Sequence, residues 1–520
     1  MITILRAAFC AALFLFFPVS AAFAQDVMLT SRDGKIELSG TLLGFDGDFY
    51  RVETEFGELT IDGSGVNCAG PGCPNLENFI AELQFSGSAT MGDILMPALI
   101  DAFALRNGFV AARQDDDDNQ FTIILRKSST EETLARFRFR ASNTDEGFAD
   151  LLADEADVVM SLREMRQEER QRAREVGLGD MTGPNRSRVL ALDAVVPVVS
   201  AQNPVRAISP LALARVFAGE ITNWRTLGGA DAPIDLHLPD QSSGLAQAIS
   251  DQVMRPAALS LGDDIMRHAL PADLADAVAA DPFAIGITSY AEQRNTEVLT
   301  LAGSCGFALD VSRRNIKTED YPLTAPMFLY FPARRLPQVA RDFLAFTRSP
   351  TAQIVIRRAG FVDQAAEEIS VENQGNRFTN AITVAGTEIT LQELQRMTAT
   401  LKPMARLSTT FRFEAGSIRL DAQSRSNVQQ LARALELGQY DARRLLFVGF
   451  SDGQGAASAN REIALRRAEA VRRAVTSAAV VANLERVELG VDAFGEAMPM
   501  ACDDSAWGRQ ANRRVEVWVR

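Results

Sequence analysis

Polar and apolar residues alternate singly over residues 36–40 and again over 49–54, the period of a half-buried strand. Turn dipeptides Asp33-Gly34 and Asp46-Gly47 flank these stretches, so a small β unit is predicted over residues 25–75. From residue 76 to 365 the pattern changes. Short continuous apolar runs, such as Val195-Val196-Pro197-Val198-Val199, precede stretches of helical period, such as residues 210–218. That rhythm predicts an α/β region large enough for two lobes. Residues 366–404 are polar, carry one helical stretch at 391–400, and read as a linker. Residues 405–520 follow a strand–helix–strand–helix–strand order, an α+β unit. The predicted fold class is therefore multidomain α/β, and 520 residues suit about three domains of roughly 150 residues.

The first 24 residues stand outside this scheme. Arg6 supplies a positive start, residues 7–17 are apolar but short of a membrane span, and Ala22-Phe23-Ala24 is a small-residue cleavage pattern before Gln25. Residues 1–24 thus read as an export signal, with Cys10 inside the apolar run rather than at the cleavage point. No later stretch is long and apolar enough to cross a bilayer. Lys and Arg number 53 against 67 Asp and Glu, a formal charge of −14 that argues against a nucleic-acid partner.

An oxidising compartment favours a disulfide between Cys68 and Cys73, which flank the turn Ala-Gly-Pro-Gly. Cys305 and Cys502 remain unassigned. The acidic run from Asp115 to Asp118 lacks the glycine and distal glutamate of a calcium loop, and reads as a solvated turn between strands. The two histidines, His237 and His268, stand apart in the chain, which argues against a metal site or a catalytic histidine pair. Gly449-Phe450-Ser451-Asp452-Gly453 fits the G-x-S-x-G pattern, but both histidines precede the serine, the wrong order for a hydrolase of that type. No enzyme, metal or cofactor is expected.

Two hydroxyl-rich stretches precede apolar helical patterns: Ser86-Gly87-Ser88-Ala89-Thr90-Met91-Gly92 before 94–103, and Asp240-Gln241-Ser242-Ser243-Gly244 before 245–253. Helix starts leave N–H groups free and favour negative ligands, although plain N-capping explains each stretch taken singly. The blocks Val216-Phe217-Ala218-Gly219-Glu220-Ile221-Thr222-Asn223-Trp224, Leu227-Gly228-Gly229, Asp281-Pro282-Phe283-Ala284-Ile285-Gly286 and Tyr321-Pro322-Leu323 occur in an order that resembles the periplasmic phosphate-binding proteins, a type 2 solute-binding fold. The resemblance implies two lobes closing on an oxyanion. It assigns ligand contacts to Thr90 and Met91 in a first loop, Thr144 in a second, and Ser243 and Gly244 in a third, with Ser161 beside them. Two family positions differ: Pro239 stands where the family has a phosphate-contacting arginine, and Leu162 where it has an acid. Arg163 is one candidate for the missing charge; a surface ion pair is the other reading.

Near the C-terminus, Gly449-Phe450-Ser451-Asp452-Gly453, Asn460, the 463–468 helix stretch, Gly495-Glu496 and Asn512-Arg513-Arg514-Val515-Glu516 resemble the OmpA-like peptidoglycan-binding domains in order and spacing. The resemblance implies that Asp452 and Arg467 grip the diaminopimelate of a stem peptide. Asn460 would shape the site and Arg513 contribute to it. A carboxylate takes the ammonium of such a zwitterion and a guanidinium its carboxylate. Phe450 stands where many members have histidine. Together the two resemblances imply an envelope protein of the periplasm, on the outer-membrane side. It would bind a small anion such as phosphate while held to peptidoglycan, with an ABC permease or a sensor as the implied partner class. The alternative is a structural scaffold whose binding lobes no longer take a ligand.

Overall fold

The computed structural model describes residues 26–76, 79–117, 119–183, 185–414 and 417–520. The export signal and Asp118 lie outside the described residues. By contact density the chain forms two units, the first covering residues up to 81 and the second nearly all the rest. In the first unit, five antiparallel strands follow the order Gly57–Asp62, Phe49–Thr54, Glu37–Phe45, Val27–Ser31, Val66–Ala69. Its core is small (Val27, Leu29, Tyr50, Val52), and Cys68 and Cys73 are bonded. A core of four side chains leaves such a unit marginal, and a covalent staple restricts its unfolded chain.

The second unit begins with an 11-stranded sheet. Strands Phe109–Asp117, Gln120–Lys127, Thr133–Ser142, Ala81–Ser88 and Val158–Ser161 build one lobe, and Ala284–Ser289, Asp235–Pro239 and Met266–His268 the other. Ser187–Val199 and Thr324–Tyr330 run through both. The first of these pairs Ser187 with Tyr330 at one end and Val199 with Ile285 at the other. Its 13 residues are almost all buried, as a strand covered on both faces must be. These two strands are the hinge between the lobes. Asp115–Asp117 close a strand at the tip of a hairpin, where carboxylates stay in water.

The C-terminal sheet has the order Glu368–Ile369, Ala405–Phe411, Arg514–Val519, Arg444–Phe450, Glu488–Gly495. Leu445 and Phe447 face the helices Ala422–Glu436 and Ala457–Ala478, while Leu446, Val448, Phe450 and Trp518 point to the opposite side. The stretch 366–404, expected as a coil linker, covers that opposite side. Helices Gly375–Thr383 and Leu391–Leu401 place Ala381, Leu394, Met397 and Leu401 on it. Residues 366–404 therefore belong to the C-terminal fold. This domain is joined to the hinge region by contacts that include a buried bidentate pair between Arg406 and Asp320 (2.6 and 2.9 Å) and the Cys305–Cys502 disulfide. The two cysteines left unassigned by the sequence thus pair across the domains.

Candidate functional site

The first loop leaves strand Ala81–Ser88 through Gly87, whose φ is +125°. A Cβ there would lie 2.1 Å from the Met160 carbonyl oxygen, so only glycine lets the loop cross the neighbouring strand. Thr90 and the fully buried Met91 follow at the helix start, where a wide turn (Met91–Leu95) leads into Met96–Asn107. Across the cleft, Ser243 caps Gly244–Ile249, its Oγ accepting from the Ala246 N–H. A Cβ on Gly244 would meet Ser88 Oγ at 3.3 Å and Leu162 Cδ1 at 3.4 Å. The first loop, the end of strand Val158–Ser161 and the third loop therefore converge at one point. Ser88, which the sequence reading passed over, is fully buried there and its hydroxyl has no partner. Its signal was its place in the same hydroxyl-rich stretch as Thr90.

Other expected contacts are occupied internally. Thr144 Oγ1 accepts from the Leu162 N–H (3.1 Å), and Ser161 Oγ donates to the Arg163 carbonyl (2.6 Å). These hydroxyls fix the second loop rather than face an open site. Asn143 caps the helix Thr144–Leu152 and donates from Nδ2 to the Ser242 carbonyl (3.2 Å), a bond from one lobe to the other. Arg163 supplies no free charge. Its guanidinium donates to Glu169 (2.6 and 2.8 Å) and also to Asp145. It lies 3.5 Å from Asp251 of the opposite lobe. Arg166 holds both oxygens of Asp251 at 3.0 Å. The lobes are thus clasped by ion pairs beside the cleft, while the cleft's own side chains are neutral.

The two histidines meet despite their separation in sequence. Parallel strands Asp235–Pro239 and Met266–His268 bring His237 Nδ1 within 2.9 Å of His268 Nε2. Burial, then the neighbouring His268, holds the His237 pKa below its ordinary value. His237 sits just before the third loop, and the pair forms no metal cluster among the described residues.

In the C-terminal domain, strand Arg444–Phe450 delivers Asp452 to the start of the long helix Ala457–Ala478, which carries Asn460 and Arg467. Gly449 permits this packing, since a Cβ would lie 2.0 Å from the Ala464 carbonyl oxygen. Asp452 accepts from Arg513 Nη1 at 2.6 Å, so its direct partner is Arg513 and not Arg467. Arg467 is 5% exposed, lies over the Phe413 ring at 5.1 Å and donates to the Ser417 carbonyl at 3.4 Å. Its Nε has no acceptor. Burial lowers its pKa, Arg513 adds to the fall and Asp452 opposes it, which places all three charges within mutual reach. Asn460 Nδ2 donates to Glu496 (2.5 Å), whose pKa burial raises. Ser451 of the G-x-S-x-G match is buried with no partner for its hydroxyl.

A two-lobed α/β domain, joined to an α+β domain in which Asp452 pairs with Arg513 near the buried Arg467, defines the class of this chain. Residues 121–351 match the PBP superfamily domain and residues 412–513 the OmpA family, so the chain carries a domain of each. It is similar to Protein SphX of Synechococcus elongatus, 26% identical over 255 residues, which are 47% of this chain and 73% of that protein. The phosphate-binding protein PstS of Bacillus subtilis is 24% identical over 188 residues, 35% of this chain and 60% of that protein. An ABC-type phosphate transport receptor from Vibrio cholerae aligns at 18% identity and a TM-score of 0.41, covering 54% of this chain and 99% of its own.

Proposed function

We propose that this chain is a periplasmic envelope protein that takes a small, phosphate-like oxyanion in its cleft while tethered non-covalently to peptidoglycan. The observation that carries the reading is the half-buried pair of Asp452 and Arg513 near the buried Arg467, with Asn460 on the same helix as Arg467. Opposite charges in one recess match the ammonium and carboxylate of diaminopimelate. In the cleft, the buried, unpartnered Ser88 hydroxyl beside Gly244, with Thr90, Met91 and Ser243 at the two adjoining helix starts, supports an anion held by dipoles. An ABC permease or a sensor would be the partner, on the outer-membrane side of the periplasm.

The test for the tether is retention on purified sacculi. Wild type should pellet with them, and Asp452→Ala and Arg467→Ala should lose retention while remaining folded. Equal retention of all three rejects the assignment. For the cleft, phosphate, sulfate, molybdate and small carboxylates are titrated against thermal stability, since a ligand that binds only the folded state raises the melting temperature. A second reading, a scaffold with an idle cleft, is favoured by the neutral Leu162 and Pro239 and by the ion pairs clasping the lobes. No shift with any anion selects it.

A further inference from the structure

The C-terminal domain touches both sides of the hinge, through residues 502–507 and through residues 406–414 and 417–426. Toward the lobe built on Asp235–Pro239, the fastening is strong. The Cys305–Cys502 disulfide lies there, the Trp507 indole donates to the Gln252 carbonyl (2.7 Å), and Asp504 accepts from the Ser304 N–H (2.7 Å). Arg406 grips Asp320 nearby, and Arg412 donates to the Glu319 carbonyl. Toward the other lobe, the fastening is slight. Glu164 accepts from the Ala422 N–H (2.6 Å), Arg170 reaches Glu414 at 4.0 Å, and at the end of the hinge strand nearest that lobe Val189 N–H donates to Ser426 Oγ (3.4 Å). Rotation of the lobes about the two hinge strands must break one of these sets, and the second is the weaker.

The weaker set is borne by immediate neighbours of the residues that hold Arg467. Phe413 and Ser417 receive the Arg467 guanidinium on one side, while Glu414 and Ala422 face the lobe on the other. A carboxylate that draws Arg467 away from Ser417 removes a support from the same stretch. We propose that the C-terminal domain is a latch on the cleft, fixed to one lobe and releasably docked on the other, so that wall binding at Arg467 and cleft opening are linked. The second clause rests on the wall-binding reading above; the first does not. Linkage is reciprocal, so an open cleft would in turn bind the wall more tightly.

The experiment is double electron–electron resonance on the full chain, with spin labels on unnatural side chains at Glu155 and Asp264, one in each lobe and both exposed. In an Asp251→Ala background, which removes the direct clasp between the lobes, adding Glu164→Ala with Ser426→Ala should add a longer interlobe distance, and a distribution equal to that of Asp251→Ala alone overturns the latch. Should that variant fail to fold, Arg170→Ala with Ser426→Ala removes the two longer contacts and is judged by the same criterion. A soluble diaminopimelate-containing tripeptide should lengthen the distance in the Asp251→Ala chain and leave Asp251→Ala/Arg467→Ala unchanged. Calorimetric binding of the tripeptide with no change in distance overturns the linkage. No binding overturns the wall reading together with the linkage, and the Glu164 variant still decides the latch.

Discussion

The ion pair between Arg406 and Asp320 is the most demanding contact between the two domains. Arg406 is 2% exposed and Asp320 4%. Both guanidinium Nη atoms reach the carboxylate, and Nη2 also meets Thr410 Oγ1 at 3.0 Å. Burial alone would push the Asp320 carboxyl up, yet Arg406 more than reverses this and holds it below the ordinary range. The perturbations are Arg406→Met, Asp320→Asn and the double variant Arg406→Met/Asp320→Leu. Breaking a buried pair by removing one partner costs about 3–5 kcal/mol, because a charge is left without compensation. Arg377 and Glu516 lie in the same cluster, 2.5 Å apart. Arg377 partly compensates Asp320 when Arg406 is lost, so that variant belongs at the low end. Asp320→Asn leaves Arg377, Arg406 and Arg514 facing Glu516 alone, so it belongs at the high end. The double variant should recover a large part of either loss, as apolar replacements of buried pairs do. Urea unfolding is read by tryptophan fluorescence, Trp507 reporting the domain contact and Trp518 the C-terminal core. Single variants within about 1 kcal/mol of wild type would be the behaviour of an exposed pair and would refute the reasoning.

Replacing Cys305 and Cys502 by serine should cost about 5 kcal/mol on the chain-entropy relation for residues 197 apart, read as a drop in the urea midpoint under non-reducing conditions. Glu164 and Glu319 are raised to about 7 and about 8, chiefly by burial, with the nearby Asp421 adding to both and Arg412 opposing at Glu319. Their protonated forms are favoured in the fold, so their contribution is full below about pH 4.5. It is lost as the pH rises from there through about 7 and 8, and Glu164→Gln/Glu319→Gln should flatten the stability profile between about pH 4.5 and 8. His237 behaves in the opposite sense. Its native pKa is lowered, so stability is full above about pH 6.5 and falls as the pH drops through the native value, a slope that His237→Gln should remove in urea midpoints.

Local pattern exposed much of this organisation. The alternation over 49–54, the apolar run at 195–199 and the ordered C-terminal blocks each became the element they predicted. The linker reading failed because it weighed only the polar composition of 366–404. The informative signal lay elsewhere. Leu445 to Val448 are four consecutive apolar residues, which marks a strand buried on both faces and so demands a second cover. The histidine pair was illegible for a different reason: it depends on the parallel register of two strands 31 residues apart, which no local spacing encodes. Arg163 was legible as a charge but not as a clasp, because Asp251 comes from the opposite lobe.

Under the anion-binding reading, the neutral cleft has a consequence for selectivity. The side chains that meet there are Ser88, Leu162 and the Gly244 loop, and the nearby arginines are already held by Asp145, Glu169 and Asp251. An anion held by N–H groups and hydroxyls is held mainly by donors, a hydroxyl that donates to it being a poorer acceptor than a carboxylate. A protonated oxyanion also presents an O–H, which needs an acceptor, and the side chain where the resembled family carries an acid is Leu162. Burying that O–H unpaired costs about 1–3 kcal/mol, or roughly 5- to 150-fold in affinity. Sulfate, which carries no proton at neutral pH, should therefore bind at least as well as phosphate, and phosphate binding should strengthen as the pH rises and its proton is lost. Phosphate preferred over sulfate by tenfold or more would show that some acceptor in the cleft takes the place of the missing acid.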